Sequence, residues 1–356
     1  MSKYVWSDPG AFEVAPGVHR IPLPLPTDGL RAVNVYAIES ADGLVLVDSG
    51  WALDVAREQL EDALGTLGHD LGDIQRFLVT HIHRDHFTMA VTLRRTFGAK
   101  IALGIGEQPS MNTVLSGRGR EKVAEMVRWG AHVLIDQWRD VYGKQDENER
   151  REAYEPPDEW LEGTTKLDLG DRRLIALPTP GHTQGHVVFV DEQAGVLFAG
   201  DHVLPHITPS IGFEPVPAKL PLGDYLESLR LVRSYPDLRL LPAHGPVAPS
   251  VHARVDELLA HHENRLAETL AAVRDGAGTA FDAARRLGWT RRHRRFDDLD
   301  LFNQTLATGE TAAHLEVLVV RGELCSSTVD GVVEYSSTIQ NRPAACPGAA
   351  DPECLE

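Results

Sequence analysis

Three histidines and one aspartate fall within six positions of the stretch Thr80-His81-Ile82-His83-Arg84-Asp85-His86-Phe87. The apolar run at residues 77–79 precedes it, which predicts that the stretch follows a buried strand. Side chains of an extended segment alternate, so His81 and His83 should point the same way. A turn would then bring the aspartate and the third histidine toward the same centre. Since imidazole and carboxylate bind zinc and related metals, the spacing favours a metal site over a polar strand end with scattered histidines.

This pattern resembles the HxHxDH signature of the metallo-β-lactamase-fold hydrolases. Four further blocks are similar to motifs of that family and occur in the family's order: VDSG with Asp48, PGHTQGH with His182, AGDH with Asp201 and PAHG with His244. The resemblance spans roughly residues 17–250. It implies an α+β fold, the αβ/βα four-layer sandwich of two mixed sheets with helices outside.

The resemblance also implies a site for two divalent metal ions, most plausibly zinc, with iron or manganese as alternatives. The implied ligands are His81, His83 and His182 for one ion, Asp85, His86 and His244 for the other, and Asp201 between them. Asp85 is in addition our candidate catalytic residue. We expect Asp48, His186 and His202 to support the ligands by hydrogen bonds from behind. Substrate-binding residues are not indicated.

These ligands predict a binuclear hydrolase that attacks the carbonyl of a small ester, thioester or lactone, because two neighbouring ions can activate one shared water. No serine or cysteine nucleophile lies in a GxSxG setting. Two alternatives stay open. The first alternative is a metal-dependent endoribonuclease or phosphodiesterase, because related proteins with a similar tail include an endoribonuclease. The second is a mononuclear iron dioxygenase. β-Lactam hydrolysis is less expected, because the Asp201 block resembles the glyoxalase II and lactonase branches.

Composition narrows the choice of partners. The chain of 356 residues has a formal net charge of -17, which disfavours binding to nucleic acid or anionic membranes. There is no run of eighteen apolar residues, and the N-terminus lacks the apolar core of a signal peptide. Cys325, Cys346 and Cys354 show no obvious disulfide framework. We therefore expect a cytoplasmic enzyme that acts on a small-molecule substrate. A homodimer is possible.

The pattern of the chain predicts a catalytic domain over residues 1–250, a helical domain over 251–340 and a disordered tail over 341–356. Residues 104–165 read as an inserted helical cap with one helix over 121–138. Apolar side chains of this insertion predict either a core under the cap or a substrate pocket, and the pocket would prefer a substrate with a hydrophobic acyl or ring portion: Met111, Met126, Trp129 and Trp138. In the C-terminal region, the predicted order of three helices and a hairpin resembles a winged helix. His261 and His262 are expected on a solvated helix face there.

Overall fold

The computed structural model describes residues 5–26, 29–41, 43–117, 122–142, 151–290 and 293–338. The chain divides into two compact units, Met1–Arg120 with Gln145–Ala260 and Glu121–Lys144 with His261–Glu356. The division falls at Ala260 rather than at the predicted residue 250. It also assigns 121–144 to the second unit, although these residues were predicted to form part of a cap on the first.

The first unit contains a sheet with the strand order β1-β2-β3-β4-β5-β6-β7. Strands β1 to β4 pair antiparallel, and β4 to β7 pair parallel. The strands are β1 Phe12–Ala15, β2 Val18–Pro24, β3 Ala32–Ser40, β4 Gly43–Val47, β5 Ile74–Leu78, β6 Lys100–Gly104 and β7 Glu159–Leu161. A parallel half of this kind requires crossover helices on the outer face.

A second sheet in the same unit has the order β12-β11-β10-β9-β8. Only the β11–β12 pair is parallel among the pairings of this sheet. The strands are β8 Thr165–Asp168, β9 Arg173–Pro178, β10 Val187–Asp191, β11 Val196–Gly200 and β12 Arg239–Pro242. The prediction of a helical insertion over 104–165 is wrong at its end, because β7 and the start of β8 lie inside it. Strands of three and four residues are too short to show a periodic pattern.

The first unit also contains helices, and two of them pack on the first sheet. The helices of the described residues are α1 Asp54–Thr66, α2 Arg84–Phe97, α3 Gln108–Leu115, α4 Lys122–Arg128, α5 His132–Tyr142, α6 Pro221–Ser234, α7 Val251–Arg274, α8 Ala280–Ala284 and α9 Leu301–Val320. Leu60 of α1 and Phe87 of α2 pack on the first sheet in one apolar core. A second core joins the two sheets, with Tyr36 and Phe198 in edge-to-face contact. This layering confirms the predicted sandwich.

The second unit contains α4, α5, α8, α9, the end of α7 and a hairpin of β13 Leu324–Val329 with β14 Val332–Ser337. The single helix predicted over 121–138 is wrong, because Gly130 has a positive φ of 75° between α4 and α5. Met126, Trp129 and Trp138 form an apolar core here, and Met111 is buried in the core of the first unit. These residues are therefore core rather than a pocket lining.

Four expectations for the C-terminal region have different outcomes. The order of three helices and a hairpin is present, while its assignment as a winged helix stays a prediction. His262 is completely buried, so the solvated face predicted for it is wrong. The predicted disordered tail, with Cys346 and Cys354, lies outside the described residues. Cys325 is disulfide-bonded, so the expectation of no disulfide framework is wrong at this cysteine. Within the described ranges, no helix has both the length and the apolarity to cross a bilayer.

Candidate metal centre

Each predicted ligand follows a strand of the first unit. His81 and His83 come after β5, and α2 begins directly behind them at Arg84, so its first turn carries Asp85 and His86. The others lie beyond the ends of β9, β11 and β12, at His182, Asp201 and His244. All seven side chains converge, in two groups of metal donors.

The first donor group consists of His81, His83, His182 and Asp201. The Nε2 atom of His182 lies 3.2 Å from His81 Nε2 and 3.1 Å from His83 Nδ1. It lies 3.5 Å from Asp201 Oδ2. Ligands bound at zinc distances to one tetrahedral ion are about 3.3–3.4 Å apart. The spacing of these four donors therefore fits a single ion.

The second donor group consists of Asp85, His86 and His244. Asp85 Oδ2 lies 3.5 Å from His86 Nε2 and 3.4 Å from His244 Nε2. The Oδ1 atom of Asp201 approaches this group as well, at 3.3 Å from His244 Nε2 and 3.8 Å from His86 Nε2. The two oxygens of Asp201 thus face different donor groups, which is the arrangement that a bridging carboxylate requires.

Several donor atoms are buried and have no hydrogen-bond partner among the described residues. They include His86 Nε2, His244 Nε2 and Asp201 Oδ1. A buried polar atom without a partner costs free energy, so native structures rarely leave several of them together. Divalent metal ions would satisfy these atoms, and the donor set of imidazoles and carboxylates suits zinc and related metals. The residues present therefore fit the metals that the sequence predicts.

Backbone carbonyls fix the orientation of three ligand imidazoles. Each ring donates from the nitrogen that faces away from the centre, which leaves the other nitrogen with a lone pair for a metal. The bonds are His83 Nε2 to Phe213 O at 2.7 Å, His182 Nδ1 to Ser210 O at 2.6 Å and His244 Nδ1 to Ala32 O at 2.8 Å. Sequence analysis missed these partners, because a carbonyl acceptor leaves no mark on residue type.

Asp48 lies directly after β4, and its predicted supporting role stays a prediction. Its Oδ2 accepts from His86 Nδ1 at 2.8 Å, and its Oδ1 accepts from Thr80 N at 2.8 Å and from Thr80 Oγ1 at 2.9 Å. Thr80 Oγ1 lies 3.0 Å from His81 Nδ1. One carboxylate thereby orients a ligand of each donor group. Asp48 has a positive φ of 61°, which is uncommon for a residue other than glycine.

His186 and His202 lie behind the ligands and belong to neither donor group. His186 Nδ1 lies 2.9 Å from Thr179 Oγ1, and its Nε2 accepts from Asp201 N at 3.2 Å. The ring of His202 lies 5.9 Å from that of His186. His186 thus holds the backbone of Asp201, whereas His202 contributes packing. Their supporting role stays a prediction.

The carboxylates divide the histidines into two electrostatic kinds. Burial and the neighbouring imidazoles hold the pKa of His81 well below its usual value and lower that of His83 to about 3. Burial acts in the same direction on His86 and His244, but nearby aspartates outweigh it and raise their pKa values to about 10 and about 9. Burial raises the pKa of Asp201, but the imidazoles around it outweigh burial and lower it. The aspartates are therefore ionised, as metal ligands must be, and protons on His86 and His244 compete with a metal.

The fold and the donor groups define a metal-dependent enzyme of the αβ/βα sandwich class. The chain belongs to the metallo-beta-lactamase superfamily, since the model of that family matches residues 28–244. It is thus a metallo-hydrolase by family.

Relatives are similar over nearly the whole chain. "Probable metallo-hydrolase YqjP" from Bacillus subtilis is 26% identical over 90% of this chain and 97% of its own. A beta-lactamase domain protein from Burkholderia ambifaria has a solved structure that is 29% identical, with a TM-score of 0.78 over 94% of this chain and 97% of that one. A metallo-beta-lactamase family protein from Thermus thermophilus is also 29% identical, with a TM-score of 0.70 over 91% and 100%.

Proposed function

We propose that this protein is a binuclear metal-dependent hydrolase of a small ester, thioester or lactone. The observation that carries the proposal is Asp201, whose two oxygens face two separate donor groups. His81, His83 and His182 would hold one ion, and Asp85, His86 and His244 the other, with zinc the most plausible metal. Two such ions, when bound, supply a nucleophilic water at neutral pH and polarise the scissile carbonyl.

Asp85 is the candidate catalytic carboxylate. Its side chain is 19% exposed, more than the 11% of Asp201. Burial raises the pKa of Asp85, but the imidazoles of His86 and His244 outweigh burial and hold it well below its usual range. We assign Asp85 to orienting the attacking water, because its side chain is the more exposed of the two carboxylates and lies among the donors of the second group.

The substrate is proposed to have a hydrophobic portion. Support comes from Phe213, whose ring lies 6.2 Å from that of the ligand His83. The exposed side chain of Ile207 lies on the same segment between β11 and α6. An apolar acyl or ring group bound there would gain about 0.8 kcal/mol per buried methylene, or about fourfold in specificity constant.

The test is a panel of substrates combined with metal analysis. Wild type and Asp201→Ala would be assayed on p-nitrophenyl esters of increasing chain length, lactones, acyl thioesters, bis-p-nitrophenyl phosphate and single-stranded RNA. We expect hydrolysis of carbonyl substrates that rises with chain length, is lost in Asp201→Ala and accompanies about two metal equivalents per chain. RNA or phosphodiester cleavage that depends on Asp201 would replace the proposal with a nuclease. One equivalent of iron with oxygen consumption would replace it with a dioxygenase.

A further inference from the structure

Two buried glutamates lie behind the metal centre and belong to neither donor group. Glu107 stands immediately before α3, and Glu214 lies on the segment between β11 and α6. Their exposed fractions are 0% and 2%. Two buried carboxyl groups that interact electrostatically disfavour ionisation of both, because burial and like charge oppose it together. The hydrogen bonds around them indicate which one carries a proton.

Glu107 contacts both loops that carry the histidines of the first donor group. Its Oε1 accepts from Thr183 Oγ1 at 2.5 Å and, more weakly, from Ile82 N at 3.4 Å. Ile82 lies between the ligands His81 and His83, and Thr183 directly follows the ligand His182. A single carboxyl oxygen therefore links the two loops.

Glu214 accepts hydrogen bonds on both of its oxygens. Gln184 N donates to Oε1 at 2.8 Å, and Ser110 Oγ donates to Oε2 at 3.0 Å. The hydroxyl of Ser110 already accepts from Val216 N at 3.3 Å, so its own proton is available for Glu214. With a donor on each oxygen, Glu214 has the hydrogen-bond pattern of a carboxylate.

Glu107 is the member of the pair that can carry a proton. Its Oε2 is buried and has no hydrogen-bond partner in the described part of the chain. Burial and the charge of Glu214 raise the pKa of Glu107 to about 8. Both observations favour a neutral carboxylic acid at physiological pH.

Close backbone contact holds Glu107 against the His182 loop. A Cβ atom added at Gly104 would lie 2.0 Å from the carbonyl oxygen of Gly185. A Cβ atom added at Gly185 would lie 2.2 Å from Glu107 N. Only glycine at both positions allows this approach, so a shift of Glu107 would be passed directly to the loop that carries His182.

We propose that Glu107, as a neutral acid, and Glu214, as a carboxylate, are positioning residues of the metal centre. Together they set the distance between the loop of His81 and His83 and the loop of His182. This inference rests on the proposed function only in taking these three histidines as metal ligands.

Matched substitutions test the assignment of the proton. Purified full-length variants would be stripped with a chelator, loaded with cobalt(II) and compared by absorption spectrum and by affinity in competition with a chelator. Glu107→Ala should weaken cobalt binding by about 10–100-fold and alter the spectrum. Glu107→Gln should restore both, because the amide keeps the acceptor for Thr183 and its NH₂ replaces the acid hydroxyl. Glu214→Gln should weaken cobalt binding and alter the spectrum, because its NH₂ group would face either Gln184 N or Ser110 Oγ, and both of these are donors.

Two results would overturn the inference: Glu107→Gln as defective as Glu107→Ala, or Glu214→Gln indistinguishable from wild type. Circular dichroism and thermal unfolding would show that each variant folds. If Glu214→Gln does not fold, Ser110→Ala removes only the hydroxyl donor, and unchanged cobalt affinity there would contradict the assignment. A wild type that binds cobalt but hydrolyses no carbonyl substrate would refute the proposed function alone. A wild type that does not bind cobalt would refute both.

Discussion

Two buried histidine clusters in this molecule differ in whether carboxylates lie among their imidazoles. One is the metal centre of the first unit, and the other is the pair of His262 and His314 in the second unit. Both members of the pair are completely buried. His314 Nδ1 donates to Glu310 O at 2.7 Å, and His262 Nδ1 lies 3.1 Å from His314 Nε2. The two rings thus form a hydrogen bond with each other, and His314 also donates to the backbone of its own helix, α9.

The difference between the clusters comes from carboxylates. Burial and neighbouring cationic groups lower the pKa of His262 to about 2 and that of His314 to about 4. In the metal centre, burial acts in the same direction, yet nearby aspartates raise the pKa of His86 to about 10 and that of His244 to about 9. Among the described residues, the pair in the second unit belongs to no group of three metal donors. Buried imidazoles alone make a packed core, and carboxylates among them make a cation site.

The largest effect is expected at the carboxylate that the two donor groups share. Asp201→Ala should reduce hydrolysis by on the order of 10³-fold, because several kcal/mol of metal-derived stabilisation are lost. Metal content should fall below about two equivalents per chain, measured by elemental analysis. His314→Ala is the matched control in the second cluster. Full metal content in Asp201→Ala would contradict the bridging geometry.

A smaller effect is expected behind the ligands. Asp48→Asn keeps the shape of the side chain but weakens its bonds to His86 and Thr80. We expect metal affinity to fall by roughly 10–100-fold while the fold is kept. Competition with a fluorescent chelator measures the affinity. An unchanged affinity would show that the His86 ring is oriented by packing alone.

Metal binding should release protons. In chelator-stripped protein at pH 7, His86 and His244 are protonated, because their pKa values are raised to about 10 and about 9. A metal must displace these protons, so affinity should rise by up to about tenfold per pH unit for each proton displaced. Calorimetry of zinc binding in buffers with different ionisation enthalpies counts the protons.

The same two histidines should make the stability of the metal-free protein fall with rising pH, whereas metal affinity rises with pH. Because their pKa values are raised on folding, their charge stabilises the stripped protein below about pH 6.5, and this contribution is lost as pH rises through 9 to 10. The metal-loaded protein should not show this loss. Absence of proton release, or identical pH–stability curves for both forms, would contradict the electrostatic contrast between the clusters.

The smallest effect on the metal centre is expected from the second cluster. His314→Ala removes a buried ring and its hydrogen bond to His262, so it should lower the free energy of unfolding by about 1–3 kcal/mol. Metal content and hydrolysis should stay at the level of wild type. Urea unfolding followed by circular dichroism measures the first quantity, and elemental analysis the second. Loss of metal in this variant would mean that the clusters are coupled.

The parts of the site that could be predicted are those with a local signature. Residues 80–87 carry four ligands within a few positions, and Asp201 and His244 stand directly after apolar runs that form β11 and β12. Side-chain alternation and the start of a helix fix the direction of the donors in residues 80–87. The family resemblance that these local patterns carry predicts the seven side chains that the structure brings into two donor groups, and their binding of metal stays a prediction.

Other parts depend on contacts between distant positions. Glu107 meets Thr183 across 76 positions, and Ser110 meets Glu214 across 104. Burial of His262 likewise depends on His314, 52 positions away. A glutamate or histidine with such a partner looks in the sequence like any solvated residue, since burial of a polar side chain is decided by its partner. This is why sequence analysis placed His262 on a solvated face and missed both glutamates.

The contact of Gly104 with Gly185 also sets a rule for recombination. In a chimera that takes residues 104–165 from a relative, Gly104 would come from one protein and Gly185 from another. The two backbones that meet at this contact would then not have evolved together. Crossover points should therefore lie outside it, so that residues 104–107 and 181–186 come from the same parent. Libraries built to change substrate range are better opened at Ile207, which is exposed on the segment between β11 and α6 and lies outside the paired backbones.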